Sequence, residues 1–104
     1  MRRLALLAGL LAAGLAHAGD PDAARQARLV EMVRQDCGAC HGMTLKGGLG
    51  PSLEPGTLAG RDAGMLRFVI LNGRPGTPMP PWRTLLSEAD ARWIVDALKQ
   101  GLPK

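Results

Sequence analysis

The residues whose types and spacing can do chemistry sit in one short stretch, Cys37-Gly38-Ala39-Cys40-His41. Two thiols three positions apart, followed at once by an imidazole, form the attachment pattern of a c-type haem. Each thiol adds across one vinyl group, so both sulfurs must lie along one edge of the porphyrin. The next residue then brings an imidazole under the iron as proximal ligand. These are the only two cysteines of the 104-residue chain. A thioredoxin-like dithiol would need a strand just ahead of it and a βαβ surround, which this Pro/Gly-rich sequence does not offer. A structural zinc site needs four ligands, and the motif supplies at most three. The expectation is one haem c, held through Cys37 and Cys40, with His41 on its iron.

The other side of the iron follows by elimination. Apart from His17 near the N-terminus, His41 is the only histidine, so two histidines cannot share the iron within one subunit. Met, Lys, solvent or nothing remains. Met43 is tethered two residues beyond the proximal His, and Met32 belongs to the helix approaching it, so both lie on the wrong face. Met65 falls in an apolar helical stripe, where Met usually fills core. Met79 lies in Gly73–Trp82, where Pro75, Pro78, Pro80 and Pro81 stiffen the backbone and exclude helix or central strand. A stiff loop lowers the entropy lost when a side chain is held in one place. Met79 is therefore the expected second axial ligand. His/Met ligation raises the reduction potential and leaves no open position, which suits electron transfer rather than oxygen chemistry.

The elements that must hold these residues read as helices joined by irregular loops. Asp20-Pro21 offers an N-cap and a first-turn proline for a helix running to about Asp36. Leu29, Val30 and Val33 form its narrow apolar stripe. Glycines and prolines from Gly42 to Gly60 predict a long irregular loop, uncommon in a small domain unless it serves a function such as wrapping a cofactor. Asp62 is positioned to cap a helix to about Leu71, stopped by Asn72-Gly73. Its dense Met65, Leu66, Phe68, Val69 and Ile70 predict that much of its surface is covered. Ser87-Glu88-Ala89-Asp90 resembles a capping box, opening a last helix with Ala91, Ile94, Val95 and Leu98 buried and Gly101 as its end. Trp93 is expected to pack beside that stripe. Trp82 could direct its N–H toward a haem propionate. Arg74 and Arg83 could neutralise propionates or face water. The fold class is all-α, three to four helices with long loops wrapped around one covalently bound haem.

The N-terminus carries its own message. Met1-Arg2-Arg3 is a short basic segment, Leu4 to Leu15 is apolar, and Ala16-His17-Ala18 fits the small-x-small cleavage rule. Residues 1–18 are expected to be a secretory signal peptide, leaving one domain, 19–104. The apolar run falls short of the roughly 20 residues that span a bilayer, so no stable membrane insertion is expected after cleavage. The arginine pair lacks the wider twin-arginine pattern, which favours the general secretory route. The destination is the periplasm of a Gram-negative bacterium, an oxidising compartment. A domain this small has a marginal core, and a covalently held haem would staple it. The formal charge of +4 falls to about +2 without Arg2 and Arg3. The remaining basic residues are scattered without aromatic interleaving, so nucleic acid is not an expected partner. Paired carboxylates, an activated nucleophile and a phosphate-binding glycine loop are absent from the sequence, so the chain reads as a carrier and not an enzyme.

Taken together, Cys-x-x-Cys-His after one helix, Gly50-Pro51-Ser52-Leu53, a Met-Pro loop and a C-terminal helix resemble a class I cytochrome c over essentially the whole of 19–104. The resemblance implies the small cytochrome c fold. It also implies that the Pro51 carbonyl accepts from the ring N–H of His41, and that the first and last helices cross steeply, which suits Ala27 and Ala91. More narrowly, CGACHGMTLKGGLGPSL, LNGRPGTPMPPW and LSEADARWIV resemble the small monohaem cytochromes of the c-55X type, which accompany the periplasmic dissimilatory nitrite reductase. That likeness implies a periplasmic electron carrier with redox proteins as partners, nitrite reductase among them; the chain is expected to be a monomer. It leaves open an accessory role in maturing the special haem of that enzyme. An open-site haem enzyme or gas sensor would require that Met79 not bind iron.

Overall fold

The computed structural model describes residues 19–103. The expected signal peptide, 1–18, lies outside the described residues.

The first helix, α1 (Ala23–Met32), starts later than the sequence suggested. Asp22 is its N-cap, accepting from the Arg25 N–H at 2.8 Å. Asp20 is drawn away instead to Arg92, 2.8 Å distant, and Pro21 lends its carbonyl to the Gln26 side chain at 2.9 Å. Nor does the helix stop near Asp36. It widens into a π turn, Val33–Cys37, and passes directly into α2, Gly38–His41. Such π turns are frequent at functional sites, and this one delivers the cysteine pair. Gly42 then turns the chain at φ +90°, so close to the returning loop that a Cβ would lie 2.5 Å from the Gly47 carbonyl oxygen.

The stretch from Gly42 to Gly60 is not wholly irregular. It contains a single helical turn, α3 (Pro55–Leu58), begun by Pro55 in its first turn, where the missing N–H is no loss. α3 puts Leu58 into the core at 4 % exposure. The helix α4 (Ala63–Asn72) has Asp62 as its cap, accepting from the Met65 N–H at 2.8 Å. Its apolar surface is less covered than its composition implied: only Leu71 is buried, and Phe68 is exposed. The last helix, α5 (Glu88–Gln100), opens on the expected capping box between Ser87 and Asp90 and ends at Gly101.

The core forms around α5, against which α4 packs most extensively, with α3, α1 and the π turn closing its sides. Leu29, Val33, Leu71, Ala91, Ile94 and Leu98 are central to it, and Trp93 packs against it as expected. Ala91 is fully buried, but Ala27 is exposed. Two residues before Leu29 on a 3.6-residue repeat, position 27 points away from the core face. Leu29 and Val33, rather than Ala27, carry the helix contact. An ion pair closes the same junction: Arg25 reaches Asp90 at 2.9 Å and also donates to the Leu85 carbonyl at 3.0 Å. Among the described residues there is no strand, and no helix is long and apolar enough to cross a membrane.

Candidate haem site

Cys37 ends the π turn and Cys40 lies in α2, three residues on, so one helix face carries both thiols. Neither is in a disulfide. Both line an outer cavity of about 480 Å³, together with His41, Pro51, Met79 and Trp82. Burial foremost, then the neighbouring Asp36 carboxylate, pushes the Cys37 thiol up to about 11. A thioredoxin-like dithiol needs a strand just ahead of it, and among the described residues there is none.

His41 is oriented by the loop that follows it. Its Nδ1 lies 2.7 Å from the Pro51 carbonyl oxygen. A carbonyl only accepts, so Nδ1 must carry the proton and donate, which leaves the Nε2 lone pair free for a metal. The loop is itself tied to the helix end. Gly47 N–H donates to the His41 carbonyl and Gly50 N–H to the Cys40 carbonyl, each at 2.8 Å. Gly50 lies flat against the imidazole: a Cβ there would fall 2.9 Å from Cε1 and Nδ1. The sequence pattern quoted Gly50 without giving it this role, because a steric demand made by a ring nine residues away leaves no local signal.

Met79 is half-buried and lines both the outer cavity and an adjoining inner one of about 130 Å³. Trp82 and Arg74 also line both. Met43 is exposed at 60 % and borders neither. Met65 is no core filler: it is 41 % exposed and lines the inner cavity, as does Met32. Arg83 turns instead to Glu88 at 3.3 Å and to the Asn72 side-chain oxygen at 3.2 Å, outside both cavities. Arg61, between α3 and α4, reaches the inner cavity unforeseen, since nothing in its sequence neighbourhood distinguishes it from a solvated arginine.

The donor set fits a covalent haem. It comprises two thiols on one helix face, an imidazole with a free Nε2, a thioether in the same lining, and apolar inner walls that include Leu53, Leu66, Val69 and Ile70. The outer cavity falls within the roughly 300–1,000 Å³ of cofactor pockets.

Comparison with known proteins agrees with this geometry. Residues 22–96 match the family model described as cytochrome C oxidase, cbb3-type, subunit III. Cytochrome c55X of Paracoccus denitrificans (strain Pd 1222) is 61% identical over 98 residues, 94% of each chain. The solved structure of the c-type cytochrome NirC superposes with a TM-score of 0.77 at 55% identity, covering 79% of this chain and 96% of that one. The dihydro-heme d1 dehydrogenase of Pseudomonas aeruginosa is 40% identical across 100% of this chain, which spans 20% of that longer protein. A two-thiol, one-imidazole helix end with relatives of this kind marks an electron-transfer protein carrying covalent haem c, and the chain belongs to the cytochrome c55X family of c-type cytochromes.

Proposed function

We propose that this chain is a periplasmic one-electron carrier whose haem iron is ligated by His41 and Met79, and that it donates electrons to nitrite reductase. The observation that carries the ligation is that His41, with Nδ1 bonded to the Pro51 carbonyl, and Met79 share the lining of both cavities. Bound haem supplies the one-electron Fe(III)/Fe(II) couple. Cys37 and Cys40 tether it by two thioethers, and the Pro51 carbonyl fixes the His41 ring and makes Nε2 a better donor. Leu66, Val69 and Ile70 keep water from the inner side, while Met79 fills the position that an external ligand would otherwise take. Trp82 and Arg74 supply an N–H and a guanidinium at the cavity wall, the chemistry that propionates need. Residues 1–18 serve as the signal peptide, leaving the mature domain 19–104. The likeness to the c-55X cytochromes supports nitrite reductase as the acceptor.

The test is the absorption spectrum of the purified holoprotein. The ferric form should show a weak far-red sulfur-to-iron band that Met79→Ala abolishes, and the reduced form should ignore carbon monoxide. A high-spin spectrum that shifts with carbon monoxide would mean an open iron, and sensing or catalysis would replace electron transfer.

One observation favours a second reading, an accessory role in maturing the haem of the nitrite reductase. The matching domain also occurs within a dihydro-heme d1 dehydrogenase. Reduction of nitrite reductase by the purified protein supports the carrier. Loss of the special haem on gene deletion, with electron supply intact, supports maturation.

A further inference from the structure

The loop that presents Met79 closes on itself. Of residues 74–81, four are prolines, so only Arg74, Gly76, Thr77 and Met79 have a backbone N–H to donate. Three of those four donate within the loop: Thr77 N–H to the Arg74 carbonyl at 3.1 Å, Arg74 N–H to the Met79 carbonyl at 3.2 Å, and Met79 N–H to the Thr77 hydroxyl at 3.3 Å. That hydroxyl in turn donates to the Arg74 carbonyl at 2.7 Å. One side-chain oxygen therefore joins the Met79 amide to the far strand of the loop.

The base of the loop is equally constrained. Gly73 sits at φ +69° in buried space, where a Cβ would lie 2.7 Å from the Met79 carbonyl oxygen and 2.8 Å from Pro80 and Pro81 backbone atoms. Beyond it, Trp82 N–H donates to the Ile70 carbonyl at 3.0 Å and Arg83 N–H to the Leu71 carbonyl at 3.2 Å, securing the exit to α4. Both ends of the loop are thus fixed to the fold, while its tip is held mainly through Thr77.

We infer that Thr77 is a positioning residue for Met79: its hydroxyl ties the Met79 amide to the Arg74 carbonyl and so holds the thioether against displacement. The inference rests on Met79 being the axial ligand. When an added ligand displaces a thioether from iron, the Met79 backbone must swing away from the cavity. With the hydroxyl present, that motion breaks the bridge. Without it, the Met79 amide turns to water at once and the resisting contact is gone.

Titrating the ferric holoprotein with imidazole, and following loss of the far-red band, tests this. Thr77→Val keeps the branched shape and removes the hydroxyl. Thr77→Ala removes it as well, and Thr77→Ser keeps it. A net hydrogen bond in an exposed loop predicts that imidazole binds about threefold to tenfold more tightly to the Val and Ala variants. The Ser variant should match the wild type. Far-UV circular dichroism checks that each variant folds, and Thr77→Ala stands in should the Val variant fail. Equal imidazole affinity in all four proteins, each with its band, overturns the role of Thr77 and leaves the ligation standing. A Ser variant as loose as the Val variant overturns it too, since packing rather than the hydroxyl would then matter. A wild-type protein with no far-red band removes the ligation reading and this inference with it.

Discussion

A single carbonyl oxygen sets the state of the His41 imidazole. Because Pro51 O can only accept, the 2.7 Å contact holds the His41 proton on Nδ1 and aims the lone pair of Nε2 outward. Gly50 is the second constraint on the same ring, for the space where its side chain would begin is taken by His41 Cε1 and Nδ1 at 2.9 Å. Gly50→Ala must move the ring or the loop, lengthening the bond to Pro51. With His41 on the iron as proposed, a weaker bond would make it a poorer donor, stabilise ferric iron less, and raise the reduction potential. The expected rise is on the order of 50 mV, the one-electron equivalent of about 1 kcal/mol. Redox titration of the variant against the wild type reads it directly, and an unchanged potential would show that the ring absorbs the methyl without loosening Pro51. The meeting of Cys37, Cys40 and His41 at one cavity and the contact of His41 with Pro51 were legible in the sequence, because they are local or tied to a recognisable string. The demand on Gly50 was not, since it exists only once the loop has folded back onto the helix end.

At the scale of elements, the junction of α1 and α5 depends on one carboxylate with two duties. Asp90 completes the capping box of α5 by accepting from the Ser87 N–H at 3.0 Å, and it pairs with Arg25 of α1 at 2.9 Å. The hydrogen bond from Arg25, reinforced by Ser87, holds the Asp90 carboxyl below its usual range against the opposing effect of burial. A depressed folded value contributes stability that is fully present above the unfolded value of about 3.9 and is lost as pH falls through the folded one. Asp90→Asn should therefore cost about 1–3 kcal/mol at neutral pH. The gap to the wild type should narrow below about pH 4. Urea denaturation at neutral and acid pH measures both, and a gap that does not change with pH would remove the electrostatic part of this account. The capping residues Asp62, Ser87 and Gly101 made α4 and the ends of α5 legible, because caps act within one turn. The start of α1 was misplaced because two aspartates compete there, and only the fold shows that Asp20 is committed to Arg92. The π turn and α3 had no comparable signal: the first is an irregularity within a good helical sequence, the second a single turn amid glycines and prolines.

At the scale of the whole molecule, the division of apolar surface explains why a chain this short needs its cofactor. α4 buries Leu71 in the core, but its Met65, Leu66, Val69 and Ile70 line the inner cavity. Leu53 and Leu58 from the preceding loop and α3 join them there, as do Ile94 and Leu98 from α5. The same wall thus serves as lining for the haem and as the meeting place of three helices. Domains of this size are marginal on protein contacts alone, and a tightly bound group that favours the folded state adds to stability by linkage. Cys37→Ser/Cys40→Ser, purified free of haem, should consequently lose the cooperative thermal transition of the holoprotein. The loss should centre on α4, whose Met65, Leu66, Val69 and Ile70 line the inner cavity and would lose the haem as a neighbour, while the α1–α5 junction keeps Leu29, Val33, Ala91 and the Arg25–Asp90 pair. Far-UV circular dichroism gives the cooperativity, and amide hydrogen exchange resolves which helix opens first. A haem-free variant that melts cooperatively near the holoprotein would mean the protein contacts suffice, and the cavity wall would then be a consequence of the fold rather than a condition for it. Uniform exchange across α1, α4 and α5 would instead mean that the junction has no stability of its own, and that haem organises every helix alike.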